Sequence, residues 1–123
     1  MSAVLTFLAP PPGFAPHTDF VLDPVDGADG LFALHATAQP GLRVHLVDPR
    51  TVGEEYAPVL PDDQVAALAL ASPDDALLLV IARPTDEGVS VNLMAPVVVN
   101  ARSGAAVQVI LEDQGFSVRA LLT

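Results

Sequence analysis

The chain has 123 residues, 51% of them apolar, no cysteine, and a formal net charge of −10 in which arginine supplies every cation. A chain of this length is read as one domain, 1–123, that buries roughly two-thirds of the surface its unfolded form exposes. The composition excludes thiol and disulfide chemistry, disfavours nucleic acid as a direct partner because that binding depends on cationic contacts to phosphate, and contains no run near the ~20 apolar residues of a membrane helix.

The N-terminus, MSAVLTFLAPPPG, lacks a positive region before its short apolar stretch, so it does not read as a signal peptide. A cytoplasmic location with no membrane attachment is the expectation. The acidic surface serves solubility, or it steers a basic partner. Twelve prolines and eight glycines punctuate short segments, which points to a mostly β fold. Val4 to Leu8 is predicted as a first strand and Phe20 to Leu22 as a second, with a stiff proline-rich connection between them. The segments LFALHAT and LRVHLV, joined by AQPG, form a predicted hairpin. Pairing Leu34 with Leu46 and Ala36 with Val44 puts apolar residues opposite one another, and His35 then meets His45 on the other face.

One helix is predicted, over about residues 62–70. Val65, Leu68 and Ala69 recur at helical spacing, and Asp62 and Asp63 complement the helix dipole at its start. Ala76 to Ala82, ALLLVIA, is apolar on both faces and reads as a central strand. In VSVNLMAPVVVN, residues 89 to 100, Val89, Val91 and Leu93 share one face. Extending that phase points Val97 and Val99 inward and Val98 outward. Proline donates nothing to a ladder, so Pro96 marks an edge, a bulge or a break. A hairpin with AVQVILED would pair Val99 with Val107, Val97 with Val109 and Val98 with Gln108. Met94, Val98 and Ile110 would then lie on an outward face that either docks a partner or lies under another element.

Chemistry is sparse. No phosphate-binding loop, dinucleotide fingerprint or zinc-protease motif occurs, and the serines sit in contexts without a neighbouring base. His35 and His45 lack an evident third metal ligand. DPVDGADG lacks the alternate ligands and terminal glutamate of a calcium loop. The acid pairs fall in turns and at a helix start, where solvated carboxylates are ordinary. The residues read as a binding domain, not an enzyme, with no catalytic residue, cofactor or metal assigned. The alternative is a small acidic β-barrel that binds a small ligand or acts as a hydrolase, which requires a pocket with convergent polar groups.

The blocks VNLMAPVVVN, GAAVQVILED and FSVRALL, in that order, resemble the flagellar assembly factor family FliW. PPPGF, LRVHLVDP and EEYAPVLPDDQVAAL resemble further family segments, so the likeness spans nearly the whole chain. Met94 stands where many members carry lysine, and Pro61 stands where a serine or threonine often caps the helix. The resemblance implies a single-domain antiparallel β-barrel-like fold, monomeric when free. It implies two protein partners, flagellin and the RNA-binding repressor CsrA. The factor would antagonise CsrA repression of flagellin mRNA by partner switching, with free flagellin occupying it until export. On this reading Asn92, Met94, Val98, Asn100, Gln108, Ile110, Glu112 and Asp113 form the partner-facing group. The polar members orient and Met94, Val98 and Ile110 supply apolar contact.

Overall fold

A computed structural model describes residues 2–52, 56–112 and 114–122. Among the described residues, nine strands and one short helix follow one another as β1 (Ala3–Phe7), β2 (Asp19–Pro24), β3 (Leu31–Ala36), β4 (Arg43–Val47), α1 (Asp62–Ala67), β5 (Ala76–Thr85), β6 (Gly88–Val91), β7 (Val97–Asn100), β8 (Ala105–Gln108) and β9 (Ala120–Leu122). Single turns of 3-10 helix lie at Pro49–Val52 and Pro73–Asp75. The predicted mostly β, barrel-like class with one short helix is the fold observed.

Seven strands close into a barrel in the order β4, β3, β2, β1, β8, β7, β5, with β5 pairing back onto β4. Every neighbouring pair in the ring is antiparallel except β1 and β8. Strands β6 and β9 extend the sheet from the second half of β5, outside the ring. Alternate residues point inward, as closure of a small barrel requires. The interior is filled by Leu5, Phe20, Leu34, Leu46, Leu79 and Val97, all at most 2% exposed. Each fully buried side chain of this size contributes about 1.5–3 kcal/mol. Phe7 and Phe14 meet Phe20 edge-on, with ring centroids 5.1 and 5.6 Å apart. The proline-rich connection therefore folds its phenylalanine back onto the barrel.

Two registers differ from expectation. In the first hairpin Leu34 stands opposite Val44, and His35 opposite Arg43. This is a slip of two residues, so the faces are kept, but His35 and His45 do not meet. The cause is the turn. Leu42 N–H bonds Gln39 O at 2.9 Å, and Ala36 N–H bonds Leu42 O at 3.0 Å. The reversal therefore centres on Gln39, not Pro40, while Thr37 N–H is drawn to Asp19 O on β2.

In the second hairpin Val99 stands opposite Ala106, Val98 opposite Val107, and Val97 opposite Gln108. This slip is a single residue, so it exchanges the faces of β8. Gly104 has φ of +82°, and its N–H bonds Asn100 O at 2.8 Å, so residues 101–104 join the two strands. Ala106 then lies in the barrel beside Val97 and Val99. Val107, Val109 and Leu111 instead join Val98 on the barrel's outer side. Val98 is 0% exposed, so its predicted outward position is a buried one beneath a second layer.

Pro96 marks a break. Val91 pairs with Ala82 and Val97 with Leu79, so six steps along this strand match only three along β5. The chain bulges out between β6 and β7, and fully buried Pro96 re-enters the ladder by accepting a hydrogen bond from Val109 N–H at 2.9 Å.

Candidate protein-binding surface

The layer over the outer face of β5, β7 and β8 is built from segments 56–72 and 109–117. Pro61 opens α1 with φ of −59°, and its carbonyl accepts the N–H groups of Gln64 and Val65. Proline suits such a start because the missing N–H would have no helical partner there. The helix ends three residues before the predicted boundary, at Ala67. Ala69 adopts φ of +54°, a left-handed turn that stops propagation. Leu68, 1% exposed, drops into the cluster of Val98, Val109 and Leu111.

Side chains fix this layer to the barrel. Asn100 is 5% exposed. Its Nδ2 donates to Leu68 O at 2.9 Å, and its Oδ1 accepts from Arg102 N–H at 2.9 Å. One buried amide thus satisfies the end of α1 and the start of the β7–β8 loop. The Gln114 side chain accepts from Val59 N–H at 3.0 Å and donates to Val59 O at 2.9 Å, joining the two segments. Tyr56 packs edge-on against Phe116 at 5.0 Å, and its hydroxyl donates to Leu93 O at 2.5 Å. Nearby, Asp48 is held by the Arg50 guanidinium at 2.9 Å, which keeps its carboxyl below the usual range.

Burial pushes the Tyr56 phenol up to about 12. The folded state therefore favours the neutral phenol, whereas an unfolded tyrosine ionises near pH 10. That contribution is complete below about pH 10 and is lost as pH rises through the folded value. The chain has one tyrosine, so absorbance at 295 nm isolates it. We expect a titration midpoint well above that of free tyrosine, and Tyr56 exposed by urea should titrate near pH 10. Coincident midpoints in the two states would contradict the burial.

Between the helical segment and the start of β5 runs an apolar groove of about 420 Å³, with Pro58, Leu60, Val65, Leu70, Ala76 and Leu78 among its walls. Val59, 73% exposed, lies on the helical segment and Ile110, 55% exposed, on the segment after β8. Asp62, Asp63 and Asp74 are exposed two residues in sequence from groove walls, and Glu112 is exposed two residues from Ile110. An apolar groove beside acidic residues is suited to an amphipathic, basic protein segment.

The predicted partner-facing group is divided by the fold. Val98 and Asn100 are interior. Gln108 is half-buried and donates from Nε2 to Ala95 O at 3.1 Å, which ties the bulge to β8. Asn92 accepts from Met94 N–H at 3.1 Å, and Met94 O accepts from Leu111 N–H at 2.7 Å. Asn92 and Met94 are half-buried, whereas Ile110 and Glu112 are exposed. Asp113 lies outside the described residues. The groove residues were missed because Leu60, Val65 and Leu70 carry the same apolar signal as core. Only Val59, apolar between prolines ahead of a helix, departs from that pattern in the sequence.

The family model described as FliW protein matches residues 1–122. A flagellar assembly factor FliW from Azoarcus sp. (strain BH72) is 32% identical over 123 residues, covering 94% of this chain and 84% of that protein. One from Desulfitobacterium hafniense (strain DSM 10664 / DCB-2) is 34% identical over 110 residues, covering 88% of this chain and 72% of the relative. Among solved structures, the crystal structure of the flagellar assembly factor FliW superposes with a TM-score of 0.89 at 26% identity, over 97% of this chain and 84% of that one.

Proposed function

The chain belongs to the FliW family of flagellar assembly factors, and from that premise we propose that it works in the cytoplasm by binding flagellin and the translational repressor CsrA in alternation. The family match across residues 1–122 carries this reading. The apolar groove and its acidic neighbours support it, since they suit hydrophobic helical ends awaiting assembly and a basic regulator, respectively. While bound to CsrA, the factor would relieve repression of flagellin mRNA. Flagellin accumulating in the cell would occupy the factor and leave CsrA to repress. That is a coupling between two binding equilibria. The protein is a binder in this scheme, with no catalytic step.

The partner-facing set we carry forward is Asn92, Met94, Ile110 and Glu112 together with the groove. The buried Val98 and Asn100 act from beneath by holding the layer in place. A small-ligand barrel or a hydrolase is the competing reading. Against it, among the described residues the barrel interior is filled by its own side chains.

Calorimetric titration against flagellin and CsrA from the same source tests the proposal. A complex with each is expected. Ile110→Glu, at an exposed position, should leave stability within about 0.5 kcal/mol of the parent and weaken at least one complex by roughly tenfold. No complex with either protein at tens of micromolar, a weak-affinity regime, would sink the proposal.

A further inference from the structure

All of the chain's positive charge resides in five arginines. Two are paired, Arg50 with Asp48 at 2.9 Å and Arg102 with Asp75 at 3.2 Å. Arg83 and Arg119 have no ion pair among the described residues, and both line one groove of about 320 Å³. It lies on the sheet extension, with Val118 and Arg119 following the layer segment 109–117 in the chain. Arg83 of β5 stands opposite Ser90 of β6, and Ser90 stands opposite Leu121 of β9. Asn92 and Arg119 each lie one residue beyond the last β6–β9 pair, Val91 with Ala120, and both line the groove. Two guanidinium groups, a serine hydroxyl and an amide therefore share one face. Asn92 Oδ1 is occupied by Met94 N–H at 3.1 Å, which leaves the Nδ2 donors for a ligand. Among the described residues no carboxylate lines the groove, and Asp86 and Glu87 lie in the turn between β5 and β6. Ile81 and Val118 give it an apolar wall.

We propose that this groove binds a single carboxylate flanked by aliphatic side chains, presented by an otherwise apolar segment of a protein. The guanidinium fork matches a carboxylate in two parallel hydrogen bonds. A bare inorganic anion would leave Ile81 and Val118 unused, and a polyanion would meet the repulsion of a molecule at −10. That long-range field is screened beyond about 8 Å at physiological salt, so contact with two arginines decides binding of a single carboxylate. The site shares Asn92 with the partner-facing set, but its test reads the two arginines, which that set does not include, so either reading can fail without the other.

The test is a nitrogen–proton NMR titration with acetyl-leucyl-glutamyl-leucine amide, with its glutamine analogue and inorganic phosphate as parallel arms. Saturable shifts at Ser90, Asn92 and Arg119 are expected with the glutamate peptide. The glutamine peptide should bind at least about tenfold more weakly, and phosphate should bind less tightly than the glutamate peptide. The double variant Arg83→Gln with Arg119→Gln should keep the remaining spectrum and lose the saturable shifts. Equal binding of both peptides, phosphate binding as tight as the glutamate peptide, or unchanged binding by the double variant would each overturn the proposal.

Discussion

Val98→Asp is expected to unfold the protein, not to weaken a partner at an intact surface. Val98 is 0% exposed and packs with Leu68, Val109 and Leu111. An unpaired carboxylate there loses its hydration and gains no cation, at a cost of several kcal/mol. That is comparable to the whole stability of a typical domain, about 5–15 kcal/mol. Val98→Ala, which removes methyl groups and adds no charge, should cost about 2 kcal/mol and stay folded. Circular dichroism melts and soluble yield separate the outcomes. A Val98→Asp protein that melts with the parent yet fails to bind flagellin would mean that the face over β7 is open.

Gly104→Ala is expected to destabilise the protein more than alanine at Gly13, Gly27, Gly41 or Gly115, where an added Cβ meets nothing within 4 Å. An alanine Cβ at this position would lie 2.6 Å from Val4 O, a backbone atom that cannot swing aside. The residue also sits at φ of +82°, in the region where alanine is disfavoured by about 1 kcal/mol. The position closes the barrel. Gly104 O accepts from Thr6 N–H at 2.9 Å, next to the parallel pairing of Thr6 with Ala105 and Phe7 with Ala106. Relieving the clash means moving β1 or the loop, so a total loss of about 3 kcal/mol is expected, with Tm falling by about 10 °C. Gly104→Asn separates the causes. Asparagine tolerates the left-handed region but keeps a Cβ, so it should not restore the parent's stability. Recovery to within about 1 kcal/mol would show that backbone conformation, not the contact with Val4, sets the cost.

The positions of most strands were legible because their apolar residues are bounded by proline, glycine and acidic turns. The family was legible from VNLMAP and VQVIL, which combine an unusual proline with a glutamine in an otherwise apolar strand. The structure supplies a reason for both residues. Pro96 breaks the ladder at a bulge, and Gln108 bonds back to that bulge through Ala95 O. The face of Val98 was not legible. Period-two alternation identifies inside and outside only when one face meets water. Residues 97–99 are buried on both faces. The registers of both hairpins depended on turn hydrogen bonds that composition does not encode. Asn100 read as a polar strand residue, because its partner Leu68 O lies 32 positions away in sequence. The groove was hidden for the same reason, since its walls come from three separate stretches that only the folded chain assembles.

The most direct test of partner switching is displacement. CsrA carrying a fluorescent label is first bound to this protein, and unlabelled flagellin monomer is then added while anisotropy is followed. The account predicts that anisotropy falls toward that of free CsrA as flagellin saturates the protein, and that Ile110→Glu shifts the flagellin concentration required. A stable anisotropy at saturating flagellin, with flagellin shown to bind the same molecules, would mean that the two partners do not exchange.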